Sequence, residues 1–271
     1  MSGIGESHGC ISVINGIVNG KAAVLGISLL TEAAYTETGT EQFVKVIGSE
    51  DTDDNLVRIC VRRTLEKIGV DPGVGYHVTI KSQIPPSRGL KSSSSVCNAV
   101  IKAVLDAHSF EMDIMDIIRL GVECAKEAKV TVTGSFDDAC GCELGGLIFT
   151  ENYSTTLIKR EQAEDYDVIL CIPEYTKERM PRERYEAVTN RMEEIQKIAE
   201  TDYLKAITLN GRLIAEVTGT DNSIAEKALE AGALAAGISG TGPAIAVIAK
   251  KGHGKSISDE LPCTTILTET R

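Results

Sequence analysis

Apolar positions change their period several times along this chain, and each change marks an element. Residues 22–36 carry a long apolar and β-branched run that predicts a strand, followed by a turn near Gly39 and a second strand over 43–47. Val57, Val61, Leu65 and Ile68 then share one face of a helix that Gly69 and Pro72 stop. Tyr76, Val78 and Ile80 alternate as on a half-buried strand. Beyond a polar break, Val96, Val100 and Val104 recur every fourth residue, as along the buried stripe of a helix. Ile114, Ile118, Val122 and Ala125 mark the next one.

A second pattern begins past about residue 155. Residues 168–172 form a continuous apolar strand, and Tyr185, Val188, Met192, Ile195 and Ala199 fall in register for a single helix opened by Pro181. Proline suits a first turn because its missing N–H would be unpaired there anyway. Helices are expected over 203–217 and 222–235, then a Gly-rich turn, a strand over 243–249 and a last strand over 264–268. Strands and helices mix without a regular βαβα repeat, which predicts an α+β fold. The change of pattern divides it into domains at 1–155 and 156–271.

At 271 residues and 42% hydrophobic content the chain can bury a sizeable core. No stretch approaches the roughly 18 consecutive apolar residues that cross a bilayer, and residues 1–6 lack the basic and apolar regions of a secretion signal. A cytoplasmic protein with no membrane partner is expected. A formal net charge of -11 argues against a nucleic-acid partner, whose phosphates need a basic surface. The eight cysteines show no CxxC and no Cys/His cluster at metal spacing, so they are expected to be reduced and mostly buried.

The candidate chemistry begins at the polar break. Pro86, Ser87, Arg88, Gly89, Leu90, Lys91, Ser92, Ser93 and Ser94 join the strand to the valine-striped helix and set the serines at its N-terminus. First-turn N–H groups there lack intrahelical partners and the macrodipole is positive, a setting for phosphate. Taken alone, such a segment is more often a Ser-rich cap after a proline turn. Two further glycine-bearing segments accompany it: Thr133-Gly134-Ser135-Phe136-Asp137-Asp138-Ala139, and Gly237-Ile238-Ser239-Gly240-Thr241-Gly242-Pro243 ahead of an apolar run.

In order and spacing the three segments resemble those of the GHMP kinase superfamily, the small-molecule kinases that include galacto-, homoserine and mevalonate kinases. Gly89-Leu90-Lys91-Ser92-Ser93-Ser94, the Asp137-Asp138 pair and Ser239 to Ala244 are most similar to the archaeal-type shikimate kinases, and Asn15-Gly16 through Gly20-Lys21 resembles the N-terminal signature of that group. The resemblance implies two domains, the second ferredoxin-like, with the active site in the cleft between them. It implies ATP-dependent phosphorylation of shikimate, a step toward chorismate and the aromatic amino acids, with ATP and Mg²⁺ as cofactors. The phosphates would lie over residues 86–94, with Gly240, Thr241 and Gly242 as the third wall. Ser93 and Glu127 would hold Mg²⁺, although Glu123, Lys126, Glu127 and Lys129 read equally as a solvated helix face. Asp137 would orient the acceptor alcohol and take its proton. Lys91 would lie along the phosphates or in solvent. A substrate carboxylate calls for an Arg or Lys fork, for which Lys21, Arg179, Arg182 and Arg184 are available. Homoserine kinase remains the alternative within this class, and a non-catalytic nucleotide-binding regulator the alternative outside it.

Overall fold

The computed structural model describes residues 1–48, 53–131, 133–175 and 180–271. The chain opens on a long antiparallel hairpin, β1 (Ser2–Ile14) and β2 (Lys21–Thr38). It continues through β3 (Gln42–Val46), α1 (Asn55–Lys67), β4 (Gly75–Ser82), α2 (Ser92–Ala107), α3 (Ile114–Glu127) and α4 (Phe136–Leu144) to a second hairpin, β5 (Leu147–Glu151) and β6 (Thr156–Glu161). These strands make one six-stranded sheet. β1 covers one edge of β2, whose opposite edge serves two partners: residues 21–25 pair with β5 and residues 31–38 with β4. β3 lies parallel to β4 at the sheet's edge, joined to it through α1.

The second part runs β7 (Tyr166–Ile172), α5 (Arg182–Glu186), α6 (Thr189–Ala199), α7 (Tyr203–Thr218), α8 (Ser223–Glu230), β8 (Ala235–Ile238), β9 (Ile245–Lys250), α9 (Gly254–Glu260) and β10 (Thr264–Glu269). Its sheet is four-stranded and antiparallel, in the order β10-β7-β9-β8. One apolar core joins the two parts: Ile11, Ile14 and Leu25 of the first hairpin pack with Leu170, Val247, Met192 and Ile214 of the second part. A second core lies under α1, α2 and α3, where Tyr35, Val78 and Ile80 meet Val61, Val100 and Ile117.

Two expectations of the sequence are corrected here. The helix read through Tyr185 and Val188 to Ala199 is two helices, because Val188 leaves the helical conformation (φ -106°, ψ 11°) and the Thr189 hydroxyl takes the Glu186 carbonyl at 2.8 Å. The helix expected over 222–235 stops at Glu230, Gly232 turns with φ 97°, and residues 235–238 become β8. Packing decides this in favour of strand. Gly237 of β8 and Gly211 of α7 sit backbone against backbone, and a Cβ on Gly237 would press on the Ile207 carbonyl oxygen. Only small residues fit there, which is why the segment reads as helix-forming alanine yet serves as a strand.

Candidate active site

α2 starts at Ser92, as the serine pattern predicts, and no side chain caps it. Ser93 is exposed, Ser92 partly so, and Ser94 is buried. The first-turn N–H groups are therefore set for an anion arriving from solvent. In the loop before it, Ser87, Gly89 and Lys91 all adopt positive φ (59°, 82° and 69°). This alternation lets successive N–H groups turn toward one concave side. Gly89 is required as well as permitted, because a Cβ there would collide with the Ser239 carbonyl oxygen.

That contact shows where the loop is held. Ser239 Oγ donates to the Gly89 carbonyl at 2.9 Å and accepts from the Ser12 N–H at 3.2 Å, while the Ala244 N–H donates to the Arg88 carbonyl at 3.0 Å. Ser12 Oγ in turn accepts from the Gly240 N–H at 3.0 Å and from Lys91 Nζ at 2.9 Å. Asn15 Nδ2 donates to the Gly240 carbonyl at 2.6 Å. The end of β1, the serine loop and the turn between β8 and β9 are thus one hydrogen-bonded unit, assembled from both sheets.

Lys91 turns inward from this unit. Its Nζ lies 3.0 Å from Asp138 Oδ1, in a pair whose side chains are 8% and 14% exposed. Burial alone would lower its pKa, but the Asp138 and Asp137 carboxylates outweigh burial and hold the ammonium above its ordinary value. Cys10 and Cys142 pack directly beneath, their sulfurs 3.9 Å apart. Burial pushes the Cys10 thiol well up, which makes it inert packing.

Asp137 and Asp138 occupy the first turn of α4, after Ser135 in the left-handed conformation (φ 50°). Asp137 is 5% exposed. Asn152, in the turn after β5, donates from Nδ2 to Asp137 Oδ1 at 2.8 Å and accepts from the Asp137 N–H at 3.0 Å. Burial, and then the neighbouring Asp138 charge, push the Asp137 pKa up to about 7, against the opposing pull of Lys91 and Asn152. A carboxyl group poised near neutrality can both carry charge and exchange a proton.

The remaining expected residues are distributed as follows. Pro86 and Ser87 are exposed on the loop, and Leu90 is buried beneath it. Arg88 points away from the helix start: its Nη1 donates to the Pro173 and Tyr175 carbonyls, each at 2.8 Å. Gly240, Thr241 and Gly242 form the β8–β9 turn, closed by the Gly242 N–H on the Ser239 carbonyl at 3.0 Å. Glu127 does not join the group. It is ion-paired with Arg62 and lies 3.8 Å from Arg63 Nε, both on α1, on the solvated face of α3. Among the described residues no cluster of three His, Cys, Asp or Glu side chains could hold a metal ion. Of the basic candidates, Arg182 donates to the Tyr153 hydroxyl at 3.2 Å, next to Asn152, and pairs with Glu186 at 2.7 Å. Arg184 donates to the Val217 carbonyl at 3.4 Å, Lys21 opens β2, and Arg179 lies outside the described residues. Ser239, quoted with the third glycine-bearing segment, carries hydrogen bonding of the group together with Ser12 and Asn152, which were not singled out in the sequence. Isolated Ser and Asn residues on strand ends give no pattern to find them by.

Residues 55–146 match the family described as GHMP kinases N terminal domain, and residues 185–265 match GHMP kinases C terminal. The chain belongs to the GHMP kinases. Curated relatives within that family include the shikimate kinase of Methanothrix thermoacetophila, 39% identical over 92% of this chain and 85% of the relative, and that of Pyrococcus abyssi, 35% identical over 92% of each. Solved structures of the same fold include the mevalonate kinase of Methanococcus jannaschii (TM-score 0.81, 17% identity, covering 99% of this chain and 98% of that one). The homoserine kinase of Cytophaga hutchinsonii is another (TM-score 0.75, 18% identity, covering 100% and 94%). The mixed α+β fold, with its two matched domains, is that of this family. Among the described residues, no helix is long and apolar enough to cross a membrane.

Proposed function

We propose that this chain is an ATP-dependent shikimate kinase and that Asp137 is its general base. The sequence relatives carry the substrate: curated shikimate kinases align over nine-tenths of the chain at 35–39% identity. One geometric observation carries the mechanism. The buried Asp137 carboxylate sits beside the Lys91–Asp138 pair, and Lys91 is also the residue immediately before the open start of α2. Carboxylate and phosphate-binding helix end are thereby tied together.

In this reading the N–H groups of Gly89 to Ser93 hold the ATP phosphates at the positive end of α2. The acceptor hydroxyl oxygen attacks the γ-phosphorus, the bond to the β-phosphate oxygen breaks, and ADP leaves while Asp137 takes the hydroxyl proton. Lys91 offsets the charge of the two aspartates and acts from below the loop rather than along the phosphates. The exposed hydroxyl of Ser93 fits Mg²⁺, which binds few protein groups and keeps waters and phosphate oxygens, and Ser92 stands next to it. When bound, the ion would offset phosphate charge. Arg182, placed by Tyr153 beside the turn of Asn152, is the candidate for the acceptor carboxylate.

The test is a panel of shikimate, homoserine and mevalonate with ATP and Mg²⁺, read by ADP release and by ³¹P NMR of the product. Shikimate is expected to turn over, with phosphate on a ring hydroxyl. Turnover of homoserine and not shikimate would replace the substrate. No ADP with any alcohol would favour the regulator reading.

A further inference from the structure

We infer that Asn152 is a positioning residue for the phosphoryl transfer, holding the Asp137 carboxylate in its charged form and in one orientation. The inference rests on the reading of Asp137 as base. Asn152 is 1% exposed, and both ends of its side-chain amide are hydrogen-bonded. Its main-chain N–H donates to the Gly20 carbonyl at 2.9 Å, which fastens the turn after β5 to the β1–β2 connection. Its side-chain Oδ1 accepts from the Asp137 N–H at 3.0 Å and from Thr150 Oγ1 at 3.0 Å. A main-chain N–H can only donate, so the amide oxygen must face it, and the amide nitrogen is left to face Asp137 Oδ1 at 2.8 Å. The amide cannot flip without setting oxygen against carboxylate and nitrogen against N–H. The donor toward Asp137 is therefore fixed by the fold.

A hydrogen bond to a carboxylate favours its charged form, and two bonds to one residue also restrict its rotation. The charged and titratable groups that bear on Asp137 are Asp138 and Cys140 of its own helix and Lys91 from the loop before α2. Asp138 opposes ionisation and Lys91 favours it. From the end of β5 and the turn after it come neutral groups, Thr150 and Asn152, because Glu151 is spent on the N–H groups of Tyr153 and Ser154 at 3.2 and 2.6 Å. Gly16 backs the arrangement: a Cβ there would come within 2.7 Å of Asn152 Nδ2.

Two variants test this. Asn152→Ala removes the donor. Asn152→Asp keeps the shape and both accepted hydrogen bonds while exchanging the donor for a second carboxylate oxygen, and far-UV circular dichroism establishes that each variant is folded before it is titrated. The primary readout is ¹³C NMR titration of the Asp137 carboxyl group. Loss of a hydrogen bond to a charged group is expected to raise its midpoint by about one to two pH units in Asn152→Ala, and Asn152→Asp should titrate as a coupled pair with a raised upper step. The acid limb of kcat should move up with it, while KM for ATP stays within about twofold. An unchanged Asp137 titration in both variants, alongside an inactive Asp137→Asn enzyme, would overturn this inference alone. Near-full turnover by Asp137→Asn would overturn the base reading and this inference with it.

Discussion

Asp137 is held against its own preference for water, and that fact makes predictions in both catalysis and stability. If it is the base, Asp137→Asn keeps size and hydrogen bonding yet loses the proton acceptor. The expected cost is about 10²-fold or more in kcat, with ATP affinity nearly unchanged in a binding titration. In the wild type, kcat/KM should rise with pH through about 7 as the carboxyl ionises. Stability should run the other way. The folded pKa is raised above the unfolded value of 3.8, so between those values the folded state binds more protons than the unfolded one and stability falls as pH rises. Asp137→Asn should therefore unfold at a higher temperature than wild type at pH 8, with the gain shrinking toward pH 4. A wild-type and variant Tm difference independent of pH would contradict the raised pKa. Lys91 has the opposite balance. Lys91→Met leaves two nearly sealed carboxylates without their cation, and about 3–5 kcal/mol of stability should be lost in urea denaturation at neutral pH.

Elements matter here for where they bring loops together. The serine loop owes its shape to the β8–β9 turn, through Ser239 and the close approach at Gly89. Ser239→Ala should cost about 1–3 kcal/mol, since the Gly89 carbonyl and Ser12 N–H lose a shared partner, and should raise KM for ATP more than it lowers kcat. A normal KM for ATP would mean the loop holds its form without that tie. The contact of β8 with α7 is equally exacting. Gly237→Ala should lower Tm, as overpacking costs about 1–3 kcal/mol. The hairpin of β5 and β6 also bears on the domain divide. A boundary at residue 155 falls inside that hairpin, so we propose instead that the domains part at residues 162–165, between β6 and β7, which keeps each sheet whole.

The molecule as a whole joins its two sheets through one continuous apolar core, in which β1 and β2 pack against α6, α7 and the four-stranded sheet. The two domains should therefore unfold in a single transition, coincident by far-UV circular dichroism and by tyrosine absorbance. ATP with Mg²⁺ should move that transition upward, by about 2.7 kcal/mol at a hundredfold excess over Kd. Two separate transitions, with only the first part responding to ATP, would show the domains to be independent. The net charge of -11 poses no obstacle to nucleotide binding. The local field at the loop comes from the start of α2, whatever the sign of the distant surface.

The apolar pattern by itself determined α1, α2 and α3, which each bury one stripe, β4 with its alternation, β7 with its continuous apolar run, and the α+β class. The serine loop and the aspartate pair were legible too, since glycine, hydroxyl and carboxylate residues cluster there in short segments. Tertiary structure decided the rest. Residues 235–238 became strand because a glycine contact with α7 admits nothing larger, and the helix after Pro181 broke where a threonine hydroxyl claimed a carbonyl. Glu127 went to Arg62 and Arg63 because α1 lies beside α3, a neighbour relation no local pattern records. Ser12 and Asn152 entered the site group from distant strand ends for the same reason. Hydrogen-bond partners far apart in sequence are chosen by the fold, while local chemistry declares only which residues are able to bond.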